Sequence, residues 1–274
     1  MSMAEYATKR RLLEPEVGDE ERPTSNLAVR GIRWALDRMV AVAYGVVYDY
    51  IVERFEPYRK LHREVRQAVE DALPPGANPR EVRVLDVACG PGNLTLALAQ
   101  AGFDVVGIDA YGGLVDLARE KRNVGPLANL AFRRAELAEG GIFPDESFHQ
   151  LVNVHSLYVH PDPAALLKAA FQVLAPGGQA VFVNFTRRVR LAAIFRAVRR
   201  GEGVGAALRS LLWVLPNSIF EVAHKRVGPH YWQEDEFADR LREAGFTVVA
   251  VRRTFLDGAS LLVLARKRAT DVGA

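Results

Sequence analysis

What this sequence has little of narrows its reading first. Among 274 residues there is one cysteine, Cys89, so no intramolecular disulfide framework can staple the chain. That usage suits a reducing cytoplasm, which is the compartment expected. No apolar run approaches the roughly 20 residues of a membrane-spanning helix; the longest, at 39–48, stops far short. The opening MSMAEYATKRRLLEPEVGDEERP lacks the apolar segment of a secretory signal. A surplus of one charge is missing too: 36 Lys and Arg stand against 33 Asp and Glu, a net charge of +3. So small an excess gives no electrostatic case for a nucleic-acid partner. No cluster of cysteines and histidines has metal-ligand spacing, so no metal is expected. With 49% apolar and 25% charged residues, the chain is a globular protein able to bury a large core.

The pattern along the chain has three textures. Residues 1 to about 25 are charged and contain proline, which predicts a loosely docked arm. Residues 26–73 carry apolar residues at helical spacing until Leu73-Pro74-Pro75-Gly76 stops them. From 82 onward, short apolar runs alternate with helix-like segments. Strands are predicted at 82–88, 104–109, 130–133, 148–154, 179–185, 246–251 and 260–265, and helices at 92–100, 113–122, 163–174 and 234–243. That alternation argues for an α/β fold with a doubly wound, mostly parallel sheet, its last two strands close enough to pair as a hairpin. Between 186 and 230 lies a helical insertion, with RRVRLAAIFRAVRR at 187–200 and a second apolar stretch around Trp213.

The stretch VLDVACGPGNLTLALA at 84–99 carries the chemistry. In a doubly wound sheet, ligands sit beyond the carboxyl ends of the strands where their order reverses, so the loop after the first strand is the expected cradle. Gly90 and Gly92 are expected to let the backbone approach a ligand, and the helix that follows offers free N–H groups. Asp86 precedes the glycines, and Asp109 ends the next strand, where a carboxylate can accept both hydroxyls of a ribose. A glycine pair alone is weak evidence; flanked by these two acids it is specific.

With those residues in place, the chain resembles the class I S-adenosylmethionine-dependent methyltransferases, in particular the small-molecule group that includes the ubiquinone and menaquinone methyltransferases. The resemblance covers about 82–185 and 230–266. It implies a seven-stranded Rossmann-like sheet with a C-terminal antiparallel strand, and S-adenosylmethionine as cofactor. Its first motif falls on Asp86, Ala88, Cys89, Gly90 and Gly92, with Ala88 where the family has its first glycine. By family role, Asp86 lies near the methionine end of the cofactor, Asp109 holds the ribose, and Ala110 and Tyr111 flank the adenine. Ala135 and Glu136 are nearest to the position that reads the adenine amino group, and Asn153 closes the cofactor set at the fourth strand end. The implied domain plan is an N-terminal arm and helical lid at 1–80, then a catalytic domain at 81–268 whose insertion at 186–230 forms part of the substrate site.

The acceptor is less legible. His155, His160 and Tyr158 lie just past the fourth strand and are the candidates for catalytic work, either histidine serving as a general base if it faces the pocket. Tyr44 and Tyr48 in the lid and Trp213 in the insertion are candidates to line the substrate site. The six arginines of 187–200, at helix spacing with Leu191, Ile194, Phe195 and Val198, read either as a solvated face or as a dock for a membrane surface. The leading acceptor is a hydrophobic small molecule such as a quinone, polyketide, isoprenoid or lipid. A cofactor-retaining binding protein or non-methylating enzyme, and a nucleic-acid methyltransferase, stay open beside it. The sequence leaves the oligomeric state unknown.

Overall fold

A computed structural model describes residues 55–125, 127–187, 191–208 and 230–269. The arm and most of the lid, with Tyr44 and Tyr48, lie outside the described residues, as does Trp213 in the insertion.

Helix α1 (Glu56–Glu70) starts with Pro57 in its first turn, where the missing N–H removes no helical bond. Leu61, Val65, Ala68 and Val69 recur at helical spacing and are all buried. Its last turn would leave carbonyls unmet. Two glutamines from the sheet meet them: Gln179 Nε2 donates to Ala68 O and Gln150 Nε2 to Val69 O, each at 2.9 Å. The apolar face of α1 shares one core with Val84, Val105, Val152 and Val181. A domain boundary near residue 80 therefore divides elements that are packed together, and α1 goes with the sheet.

The sheet follows from β1 (Arg83–Val87), β2 (Asp104–Asp109), β3 (Leu130–Arg134), β4 (Phe148–Val154), β5 (Leu174–Phe185), β6 (Thr247–Thr254) and β7 (Ser260–Arg266). Its seven strands run in the order β3-β2-β1-β4-β5-β7-β6. The first five pair in parallel, while β7 lies antiparallel between β5 and β6. Between the strands come α2 (Asn93–Gln100), α3 (Gly112–Val124), α4 (Pro163–Val173), α5 (Leu191–Glu202) and α6 (Glu234–Glu243). The chain winds from β1 outward to β3, then returns to place β4 on the other flank of β1. That reversal opens a crevice above the carboxyl ends of β1 and β4.

Two elements differ from the expectation. Strand β5 begins at Leu174 rather than 179: Leu174 pairs with Phe148, and the register then shifts so that Gln179 faces Gln150. Only glycine fits within that irregularity, because a Cβ on Gly178 would stand 2.8 Å from the carbonyl oxygens of Ala175 and His149. The five-residue turn from β6 to β7 is no simple two-residue hairpin. Phe255, Leu256, Asp257 and Gly258 all take positive φ, closed by a hydrogen bond from Ala259 N to Phe255 O at 2.8 Å. Among the described residues no helix is long and apolar enough to cross a membrane.

Candidate functional site

Beyond Val87 the chain turns through residues 88–92 before α2 begins. Ala88, Gly90 and Gly92 take φ values of 57°, 55° and 78°. Glycine adopts that region freely, whereas for Ala88 it costs about 1–2 kcal/mol. The two glycines, expected to serve a ligand alike, divide the work. A Cβ on Gly90 would meet nothing within 4 Å, so this edge of the loop faces open space. A Cβ on Gly92 would stand 2.6 Å from Phe132 Cζ, so Gly92 makes room for a ring of β3. Gly107 on β2 is pressed by the same ring at 2.9 Å. The turn is fixed from both sides: Cys89 N donates to Ile108 O at 2.9 Å, and Lys121 Nζ on α3 donates to Pro91 O at 3.0 Å.

Two carboxylates flank this loop in the interior. Asp86 is 3% exposed and accepts from Thr95 Oγ1 at 2.6 Å. Burial pushes its pKa up to about 7; the Thr95 bond opposes the shift and the charge of Asp109 adds to it. Asp109 accepts from Gly90 N on Oδ2 and from Tyr111 N on Oδ1, both at 2.9 Å. Burial raises its pKa as well, against those two backbone bonds. Among the described residues no Lys or Arg neutralises either acid. The loop thus sits between two buried carboxylates, one of them tied directly to Gly90.

The remaining members of the expected cofactor set lie around this core. Cys89 is buried with its thiol pushed well above the ordinary range by burial, so it fills space and is no nucleophile. Tyr111 is 63% exposed beside Asp109, and Ala110 O accepts from Arg134 Nε at 3.3 Å. Ala135 N donates to Asp109 O at 3.0 Å, bringing the end of β3 against β2. Glu136 Oε1 accepts from Ala138 N at 3.1 Å, and the neighbouring His160 holds its pKa below the usual carboxylate value. Asn153 is fully buried at the end of β4; its Nδ2 donates to Val87 O at 2.9 Å and Ser156 Oγ at 2.6 Å, while its Oδ1 has no partner.

The histidines overturn an expectation. His160 Nδ1 accepts from Asp162 N at 3.0 Å, which places the ring proton on Nε2. That nitrogen lies 3.2 Å from Glu136 Oε1, off the hydrogen-bonding direction. His155 has φ 53°, and its ring stacks on Phe185 at 3.9 Å with Tyr58 and Phe255 edge-on. Its Nδ1 bonds the Tyr58 hydroxyl at 3.1 Å and its Nε2 the Ser260 hydroxyl at 2.8 Å. Burial, with His62 nearby, pushes its pKa down to about 3. Neither histidine keeps a lone pair open to an acceptor, so the expected general base is corrected at both. His155 instead ties α1 to the start of β7.

The third catalytic candidate, Tyr158, is packed among rings, and other residues hold positions that the sequence reading did not weigh. Tyr158 lies edge-on to Phe185 and parallel to Tyr231, and its carbonyl accepts from His230 N at 2.8 Å. Asn184, near the end of β5, donates to His230 O at 3.0 Å. Its signal was present: a lone amide in the apolar run VFVNF, at the strand end bordering the crevice. Tyr58 and Ser260 had none, because only folding brings them to His155.

Comparison with known proteins supplies the family. A family model described as a methyltransferase domain matches residues 58–251. The chain belongs to this methyltransferase family. The match begins in α1, in keeping with that helix sharing the sheet's core. A ubiquinone biosynthesis O-methyltransferase of Acinetobacter baylyi is 30% identical over 167 residues, 60% of this chain and 62% of that protein. A ubiquinone/menaquinone biosynthesis C-methyltransferase of Geobacter sulfurreducens is 34% identical over 113 residues, 40% and 44% of the two. The chain thus spans less than two thirds of these relatives' length. Among solved structures, an S-adenosylmethionine-dependent methyltransferase from Aquifex aeolicus superimposes with TM-score 0.53 at 18% identity, over 80% of this chain and 93% of that one. The cyclase SpnF does so with TM-score 0.59 at 15% identity, over 85% and 97%. These likenesses establish the Rossmann-like methyltransferase fold.

Proposed function

We propose that the protein transfers the methyl group of S-adenosylmethionine to an oxygen, nitrogen or carbon nucleophile of a hydrophobic small molecule. One observation carries this reading: two buried carboxylates without a cationic partner flank a loop whose Gly90 edge faces open space. A ligand with positive charge at one end and a diol at the other complements them. Asp86 would face the charged methionine end. Asp109, already oriented by Gly90 and Tyr111, has lone pairs left for ribose hydroxyls, and Tyr111 offers an exposed ring to the base. When bound, the cofactor supplies a methyl group already activated by its sulfonium. The protein's own work is to hold the acceptor in line and to exclude water.

The similarity to ubiquinone-pathway O- and C-methyltransferases supports a small, ring-containing acceptor. The arginines of α5 support an added contact with an anionic surface by charge alone, because Ile194 and Val198 are turned into the core while Arg196, Arg199 and Arg200 are exposed. The test is calorimetric titration with S-adenosylmethionine, followed by mass spectrometry of extracts incubated with isotopically labelled methyl donor. Binding with label in a small apolar product supports the reading. Absence of cofactor binding by the folded protein overturns it.

A further inference from the structure

Away from the cradle, the structure holds a cavity that the methyltransferase reading does not use. It lies between the start of α1, the last turn of α5 and the β6–β7 turn, and its volume is about 330 Å³. At about 30 Å³ per non-hydrogen atom, the share of a water in the liquid, that is room for roughly ten such atoms. None of its lining residues belongs to the 88–92 loop or to the strand ends that carry Asp86 and Asp109. Its apolar lining is Pro57, Val198, Phe255 and Leu256, the last three buried.

One wall is a turn that the chain adopts at a cost. Phe255, Leu256 and Asp257 take φ values of 55°, 43° and 56°, a left-handed run that bulky residues avoid. Strain of this kind persists where the surroundings hold it, and it clusters at ligand clamps. The turn closes with a single bond, from Ala259 N to Phe255 O. It leaves the N–H groups of Leu256, Asp257 and Gly258 without a partner among the described residues. Successive free N–H groups in a turn make a concavity suited to an anion.

The side chains around the cavity leave the same kind of capacity. Glu56 is met by Arg59 and Arg63, each at 2.6 Å, and Asp257 by Arg200 at 3.4 Å. Glu64 accepts from Thr254 Oγ1 at 2.6 Å. Lys60, by contrast, comes no nearer to Glu64 than 3.9 Å. Arg253 has no acidic partner among the described residues, only Gly258 O at 3.5 Å. Each acid is thus engaged, and what stays open beside the apolar lining is donors and positive charge. We propose that this cavity is a second binding site, for a monocarboxylate of about eight carbons. The carboxylate takes Arg253, Lys60 and the free N–H groups of the turn, while the apolar body covers Val198 and Leu256. The site stands independently of methyl transfer.

Calorimetric titration of the full chain at pH 7.5 with octanoate, 1-octanol and octylamine tests it, because the three differ only at the head. Octanoate should bind with a dissociation constant of about 1 mM or tighter, at least tenfold more tightly than either of the others. Two variants locate the binding. A Cβ on Gly201, which lines the cavity, would meet nothing within 4 Å, so Gly201→Leu fills open space and should weaken octanoate at least tenfold. Arg253→Gln should weaken octanoate at least fivefold and leave 1-octanol unchanged. Both should keep wild-type thermal unfolding and S-adenosylhomocysteine affinity, which separates loss of this site from loss of the fold or the cradle. Should Gly201→Leu fail to fold, Arg253→Gln alone decides. Absence of octanoate binding by the wild type overturns the proposal, as does equal or tighter binding of 1-octanol or octylamine. Octanoate affinity unchanged in either folded variant overturns it too, since the carboxylate then sits elsewhere.

Discussion

At the scale of single residues, the two buried acids have different duties and separable tests. Asp109 binds one backbone N–H of the loop that it would help to present, that of Gly90, and one after its own strand, that of Tyr111, so it would act as both scaffold and ligand. Asp109→Ala should weaken S-adenosylhomocysteine binding by about 1.5–3 kcal/mol, roughly 10- to 150-fold, the range of hydrogen bonds to a charged group. Calorimetry on a variant whose thermal unfolding remains cooperative checks it. Asp86 should show itself through pH instead. Its carboxyl titrates near 7 in the free protein, and a cationic ligand favours the ionised form. Affinity for S-adenosylmethionine should therefore fall as pH drops through about 7, by up to tenfold per unit, while Asp86→Asn binds more weakly with a flatter profile. Titrations at pH 6, 7 and 8 with both proteins decide between the profiles.

At the scale of the element, the β1–α2 turn is shaped as much by packing as by any ligand. Phe132 reaches under it from β3 and presses on both Gly92 and Gly107. Gly92→Ala adds a methyl group 2.6 Å from that ring, in a left-handed conformation. It should cost about 2–4 kcal/mol of stability, overpacking and backbone strain together. Phe132→Leu should recover part of that loss in the double variant, a coupling that a denaturant-unfolding cycle measures. Ala88 offers the opposite change. It stands where the family has glycine and holds φ 57°. Ala88→Gly relieves the strain, less the entropy that glycine adds to the unfolded chain, and should raise unfolding free energy by about 0.5–1 kcal/mol.

At the scale of the whole molecule, pH and stability are linked through histidines buried neutral. His155 is held to about 3 and His62 to about 4, each by burial, against an ordinary value of 6.5. Below pH 6.5 the unfolded chain takes up protons that the folded chain refuses. Each group therefore contributes stability that is present above 6.5 and lost as pH falls, by up to about 1.4 kcal/mol per pH unit. Asp86 runs the other way, holding a proton between about 4 and 7 that the unfolded carboxyl has released. The histidine contribution can be isolated in His155→Asn, which tolerates the left-handed backbone and does not titrate. Its stability should decline less steeply than that of the wild type between pH 6.5 and 4.5. Parallel curves by chemical denaturation would refute the buried neutral ring.

The sequence by itself determined the alternation of strands and helices, the place of the glycine turn after β1 and its two flanking acids. Those are local facts: apolar period, glycine spacing and an acid at a strand end are all written within a few residues. It placed α5, α6 and the β6–β7 pair for the same reason. Only the tertiary structure decided what each polar group is free to do. His155 and His160 look like bases in the string SLYVHPDP, yet Tyr58, Ser260, Asp162 and Glu136 occupy or face their nitrogens from up to 105 positions away. Gly92 reads like a ligand contact, and the fold also makes it clearance for Phe132, forty residues on. Asn184 meets the carbonyl of His230 only because folding brings the end of β5 to a residue 46 positions away. Availability of a lone pair depends on everything packed around it, and that is a property of the fold.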